Sequence, residues 1–164
     1  SAAMSSSEGL THLDARGEVH MVDVGEKAVT ARRAVARARV RMAPETVAKV
    51  RAHDAPKGDA GATARIAGIM AAKKTPELIP LCHSIALTRV TVDVAWSDHG
   101  AEITATAETR DRTGVEMEAM TAASVAALAL YDMVKGTERG VTIERVELVE
   151  KSGGRSGHWV REGE

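Results

Sequence analysis

The sequence predicts an α+β fold, a four-stranded antiparallel sheet with helices packed on one face. Two kinds of segment carry the prediction. Apolar and polar residues alternate, with the period of a strand, in four places, at 34–42, 90–96, 103–108 and 141–150. Segments with helical spacing and capping signals lie between the first and second and between the third and fourth. The resulting order, strand, helices, strand, strand, helix, strand, is that of the split βαβ, the ferredoxin-like sandwich.

In the first strand Ala34, Ala36, Ala38, Val40 and Met42 share one parity and Arg37, Arg39 and Arg41 the other, so one face is expected buried and the other solvated or salt-bridged. Arg32 falls on the apolar parity if the strand reaches back that far, where a guanidinium needs an anionic partner or an opening. Pro44 suits the first position of a short helix, "PETVAKVRAH". A second helix follows Asp59, a good N-cap, with Thr63, Ile66, Ala67 and Met70 as its apolar stripe. Pro76 and Pro80 bound a loop, and Val90, Val92, Val94 and Trp96 begin a hairpin that turns at "DHG".

A long helix is expected from about Gly114 to Lys135, stopped by Gly136. Its middle, "ASVAALALY", is apolar nearly all round, so its far side is expected to meet another subunit. The last strand, "VTIERVELVE", slips parity near Glu144–Arg145, the sign of a bulge. A short extra strand at 19–24 is only weakly signalled.

Composition narrows the function. The 164 residues suit one domain, expected at 10–157, after a disordered lead-in with a cloning scar at 1–9 and before a flexible tail at 158–164. The net charge of −1 gives no global field for nucleic acid or an anionic membrane. One cysteine, Cys82, excludes an internal disulfide and fits a reducing compartment. No apolar run approaches the roughly 20 residues of a membrane helix, so a cytoplasmic protein without membrane partners is expected. With no Phe, one Tyr and two Trp, there is little to stack bases on, which disfavours an RNA-recognition module.

Several residues could carry chemistry. Asp132 lies in the last turn of the long helix, where the dipole opposes it by roughly 0.3–1 kcal/mol. Lys135, three residues on, makes either a surface ion pair with it or an acid/base couple. Glu116 stands at capping-box spacing from Thr113, whereas Glu118 has no such local explanation. Glu118 and Asp132 lie almost on one face but about 21 Å apart along the axis, so a site using both must combine chains. Lys57, just before the Asp59 N-cap, is either a turn lysine or part of an anion site. His83 of "LCHS" could bind phosphate, move protons or simply be hydrogen-bonded; Cys82–His83 without a second cysteine is a poor zinc pattern. Lys151 beside "SGGRSG" could form an anion nest, or belong to a mobile terminus.

Taken together, "LTHLDARGEVHMVDV", "KGDAGATARIAGIMAAKKTPELIPLCH", "TGVEMEAMTAASVAALALYDMVK" and "KSGGRSG" closely resemble the molybdenum cofactor biosynthesis protein C (MoaC) family, the cyclic pyranopterin monophosphate synthases. The resemblance runs from about Leu10 to Gly157. It implies a lyase that converts 3′,8-cyclo-7,8-dihydro-GTP to cyclic pyranopterin monophosphate with release of pyrophosphate, in molybdopterin biosynthesis. It also implies a ferredoxin-like homohexamer, a trimer of dimers with active sites between subunits. The family's functional positions fall here on Arg32, Lys57, His83, Glu116, Glu118, Asp132, Lys135 and Lys151. Under that resemblance Lys57, Asp132 and Lys135 are catalytic, Arg32, His83 and Lys151 hold phosphates, and Glu116 and Glu118 orient the base or a lysine. No tightly bound cofactor is expected; pyrophosphate departure would be eased by the lysines or by Mg²⁺. Ser84 departs from the proline often found there. The competing reading is a regulatory domain that binds a nucleotide between subunits without chemistry; an acid at Asp132 speaks against a pure polyanion binder.

Overall fold

The structure, a computed structural model, describes residues 17–52 and 57–163; the expected lead-in at 1–9 lies outside them. Strand β1 (Thr30–Arg41) leads through α1 (Pro44–Arg51), α2 (Ala60–Lys73) and the single turn α3 (Thr75–Leu78) to the hairpin of β2 (Leu87–Ser97) and β3 (Gly100–Asp111). Helix α4 (Glu116–Val134) then returns the chain to β4 (Thr142–Ser152) and the short β5 (Trp159–Val160). The fold is α+β, with an antiparallel sheet in the order β2-β3-β1-β4-β5.

The sheet has five strands where four were expected. The fifth forms in the stretch expected to be a flexible tail, where Trp159 and Val160 pair with Lys151 and Glu150. Two residues carry too little periodicity to announce a strand. The weak signal at 19–24 yields only an isolated bridge at Val19. The predicted bulge is present: Arg39 pairs with Arg145 and Val40 with Ile143, so Glu144 is skipped. A second bulge skips Val149, between the pairs Val35–Glu150 and Ala36–Leu148.

Period two sorts the faces of β1 as expected. Ala34, Ala36 and Ala38 are 0% exposed against the helices. On the opposite face Arg33, Arg37, Arg39 and Arg41 pair with Glu150, Glu147, Glu102 and Glu144. Against the buried face lies α4, whose Ala119, Ala122, Ala123, Ala126 and Ala127 are fully buried. Alanine on both surfaces lets helix and sheet approach closely.

In α2 the expected stripe is wrong way round. Its buried residues are Ala60, Ala64, Gly68, Ala71 and Ala72, while Ile66 and Met70 are 60% and 52% exposed. The reason is proximity: a Cβ on Gly68 would lie 2.9 Å from the carbonyl oxygen of Ala122 and 3.1 Å from Cβ of Ala126. Only small residues fit along that seam. Part of the all-round apolarity of α4 is thereby explained, since α2 covers one of its sides. By length and composition alone α4, with 19 residues and a mean hydropathy of 1.3 over 18 of them, would pass for a membrane span. It instead lies packed in the core, with 56% of the span buried.

Candidate active site

At the C-terminal end of α4 three charged residues meet. Lys57 Nζ donates to Asp132 Oδ2 at 2.9 Å, and Lys135 Nζ lies 2.8 Å from Oδ1. Lys135 caps the helix, its backbone N–H on the carbonyl of Tyr131. The Tyr131 hydroxyl donates to the carbonyl of Arg139, which ties down the chain after the helix. Lys57 arrives from the turn before α2, where Gly58 takes φ +101 and Asp59 accepts from the N–H of Ala62. The i,i+3 ion pair suggested by spacing therefore exists, and a second lysine shares its carboxylate.

The electrostatics follow from that sharing. The hydrogen bonds of Lys135 and then Lys57 pull the Asp132 carboxyl down to about 2, and the bond to Asp132 raises Lys135. Asp132 and Lys135 are therefore both charged at neutral pH. The side chains are about half exposed, so water screens the pairs and they add little to stability.

The N-terminal end of α4 is built differently. No side chain caps it, so the capping box predicted from Thr113 and Glu116 does not form. Glu116 is drawn instead to Lys151 of β4, Nζ to Oε1 at 2.9 Å. Its carboxylate folds over Gly114, where a Cβ would fall 2.4 Å from Oε1. One turn into the helix, Glu118 is 2% exposed, with the Cys82 thiol 3.8 Å from Oε2 and no partner on Oε1. Burial raises the Glu118 carboxyl, and the charge of Glu116 adds to the rise. Burial likewise pushes the Cys82 thiol up to about 11, so it is not a thiolate nucleophile at neutral pH.

Beside these residues opens a cleft of about 620 Å³. Ile79, Pro80 and Ile85 give it apolar walls; His83, Glu116 and Glu118 supply polar groups. Arg32 occupies the nearby end of the sheet and does face the apolar side of the strand. Its partners are backbone carbonyls rather than an anion: Nε donates to Asp111 at 2.9 Å, and Nη2 to Arg112 and Ala28. Gly154, at φ +74, leaves it room, since a Cβ there would sit 2.1 Å from Nη1.

The expected residues thus fall into two groups. Lys57, Asp132 and Lys135 are together at one end of α4; His83, Glu116, Glu118 and Lys151 are together at the other, with Arg32 at the adjoining end of the sheet. The separation is that of the helix itself, about 21 Å. Sequence gives Cys82 no role at the site beyond a poor zinc pattern; nothing in the spacing brings it to Glu118, 36 residues on. Among the described residues no group of three His, Cys, Asp or Glu side chains could hold a metal ion. The carboxylates of Asp132 and Glu116 are engaged by lysines.

The sequence model of the MoaC family matches residues 21–154, a span that contains every residue of both groups. The chain belongs to the MoaC family. Within that family it is 60% identical over 155 residues to the cyclic pyranopterin monophosphate synthase of Thermomicrobium roseum, covering 93% of each chain. The synthase of Novosphingobium aromaticivorans is 57% identical over 92% of this chain and 96% of its own. That of Streptomyces coelicolor is 56% identical over 93% of this chain and 89% of its own.

Proposed function

We propose that this chain is a cyclic pyranopterin monophosphate synthase, a lyase that converts 3′,8-cyclo-7,8-dihydro-GTP to cyclic pyranopterin monophosphate and releases pyrophosphate in molybdenum cofactor biosynthesis. Membership of the family and relatives of that name at 54–60% identity support the activity. The observation that carries the site is the carboxylate of Asp132 held between two lysines. Rebuilding a purine ring requires repeated proton transfers, and a lysine–carboxylate cluster open to a ligand can perform them.

The protonation states divide the labour. Asp132, held at about 2, has no proton to give at neutral pH. It orients Lys57 and Lys135, which act as the proton carriers. Lys135, raised by its partner, begins as an acid. It becomes a base only once a ligand has taken Asp132 from it. At the other end of α4, Lys151 and His83 hold phosphates, joined by those Arg32 N–H groups that the carbonyls leave over. Glu116 and Glu118 orient the base.

One chain keeps these groups about 21 Å apart, so the complete site joins one end of α4 to the opposite end from a neighbouring copy. Ile66, Met70 and Leu128, at 60%, 52% and 58% exposed on the helical layer, support burial against such copies. The assembly fitting this reading is a homohexamer, a trimer of dimers, in the cytoplasm. The order β2-β3-β1-β4, with the connections through α1–α3 and α4, supports a ferredoxin-like split βαβ extended by β5. An RNA-binding sheet gains no support: its open face carries Arg–Glu pairs, and Trp96 packs against the core.

The decisive assay is pyrophosphate release by the purified protein supplied with the cyclised GTP derivative. Lys57→Ala, Asp132→Ala and Lys135→Ala are each expected to lose about 10²-fold or more in turnover. Near-normal turnover in all three would remove the assignment.

A further inference from the structure

Glu118 is the buried charge that the fold does least to satisfy. It is 2% exposed, its own backbone N–H lies against the carboxyl, Oε1 has no hydrogen-bond partner among the described residues, and the side chain forms part of the wall of the 620 Å³ cleft. Such a carboxyl is costly unless something donates to it. The thiol of Cys82 is within reach, with Sγ 3.8 Å from Oε2 and 3.7 Å from the carbonyl oxygen of His83. A thiol has one proton and serves one of these acceptors at a time.

We propose that Cys82 is a positioning residue for Glu118: its thiol engages Oε2 and so holds the carboxyl at the cleft wall with the buried Oε1 left unpaired, for an N–H donor of the ligand's base. This rests on the reading of the cleft as part of the substrate site. The ligand class it suits is a planar heterocycle with an N–H group on its edge, because apolar walls take the ring faces and one carboxyl oxygen takes the edge. Cys82 forms no bond to the ligand and changes no oxidation state.

The groups facing Glu118 set the sign of the test. From α4 itself Glu116 faces it, with its charge countered by Lys151 of β4; from the 79–85 loop come Cys82 and His83. A donor to the ionised carboxyl favours that form. Removing the thiol therefore makes Glu118 harder to ionise and moves the acid limb of kcat/KM to higher pH. A serine hydroxyl, a stronger donor, holds the limb in place or lowers it.

The test measures kcat and KM against pH for wild type, Cys82→Ser, Cys82→Ala, Glu118→Gln and the Cys82→Ala/Glu118→Gln double variant. Cys82→Ala is expected to raise KM for the cyclised GTP derivative about 10-fold, with a smaller effect on kcat, and to move the acid limb upward. Cys82→Ser is expected to stay within about threefold of wild type. In the Glu118→Gln background the alanine change should add nothing. A wild-type KM and pH profile in Cys82→Ala, or a full additional loss in the double variant, overturns the inference while leaving the cleft as substrate site. Full activity in Glu118→Gln overturns the reading of the cleft itself. If Cys82→Ala does not fold by circular dichroism, the Cys82→Ser limb decides: an upward shift overturns the inference.

Discussion

Asp132 shows how little a helix end reveals by itself. The local sequence marks it as misplaced against the dipole, and Lys135 at i,i+3 supplies an ordinary explanation. Lys57, 75 residues away, turns that surface pair into a shared carboxylate, and no spacing rule could foresee it. Asp132→Asn is expected to abolish pyrophosphate release yet leave the melting temperature close to that of wild type, because half-exposed pairs are screened. Its folded carboxyl lies near 2, below its ordinary 3.8. Any stability it lends is therefore present above 3.8 and lost only as pH falls toward 2, so acid inactivation near pH 5 must come from another group. Glu118 has the opposite sign. Burial raises it above 4.5, so the folded state prefers the protonated form, and this contribution is lost as pH rises from 4.5 through the raised value. Glu118→Gln is accordingly expected to gain stability over wild type as pH goes from 4 to 8, read by urea denaturation at both pH values. An unchanging gap between the two proteins would contradict that assignment.

Among the elements, strands were easier to read than helix faces. Alternation located β1 and the hairpin, and a break in parity located the bulge at Glu144, because a strand's faces differ in polarity at every step. The bulge at Val149 breaks parity too, at Leu148–Val149, but near the strand end only one apolar residue marks it. In α2 hydropathy chose the wrong side: Ile66 and Met70 outweigh alanine on any scale, but the seam with α4 admits only small residues. Gly68→Val is therefore expected to cost about 1–3 kcal/mol by overpacking, measured by thermal or urea melts, despite relieving a glycine in a helix. The start of α4 misled for a related reason. Thr113–x–x–Glu116 has capping-box spacing, but Lys151 offers Glu116 a full charge where Thr113 offers it a backbone N–H. Gly114→Ala places a methyl against the Glu116 carboxylate, which is a flexible side-chain end and can swing away. The expected result is about a 10-fold loss of activity with little change in melting temperature, because the pair with Lys151 is displaced while the core is untouched.

At the scale of the molecule, one long helix holds the two groups of candidate residues at its opposite ends. If a site takes one end from each of two chains, a Lys135→Ala chain and a Lys151→Ala chain are each inactive alone, yet a mixture restores sites that received both intact ends. Random assembly at equal amounts predicts recovery of about a quarter of wild-type pyrophosphate release. No recovery in mixed assemblies, with a mass measurement showing that chains had mixed, would argue for sites completed within one chain. The α+β class, the strand periodicity and the N-cap at Asp59 were legible in the chain, because each depends on neighbours within a few positions. The pairing of Lys57 with Asp132, the diversion of Glu116 to Lys151, the burial of Glu118 beside Cys82 and the small-residue seam of α2 were not. Those depend on which surfaces pack together, and packing distance, rather than local preference, decides which partner a charge finds and which residues fit between two helices.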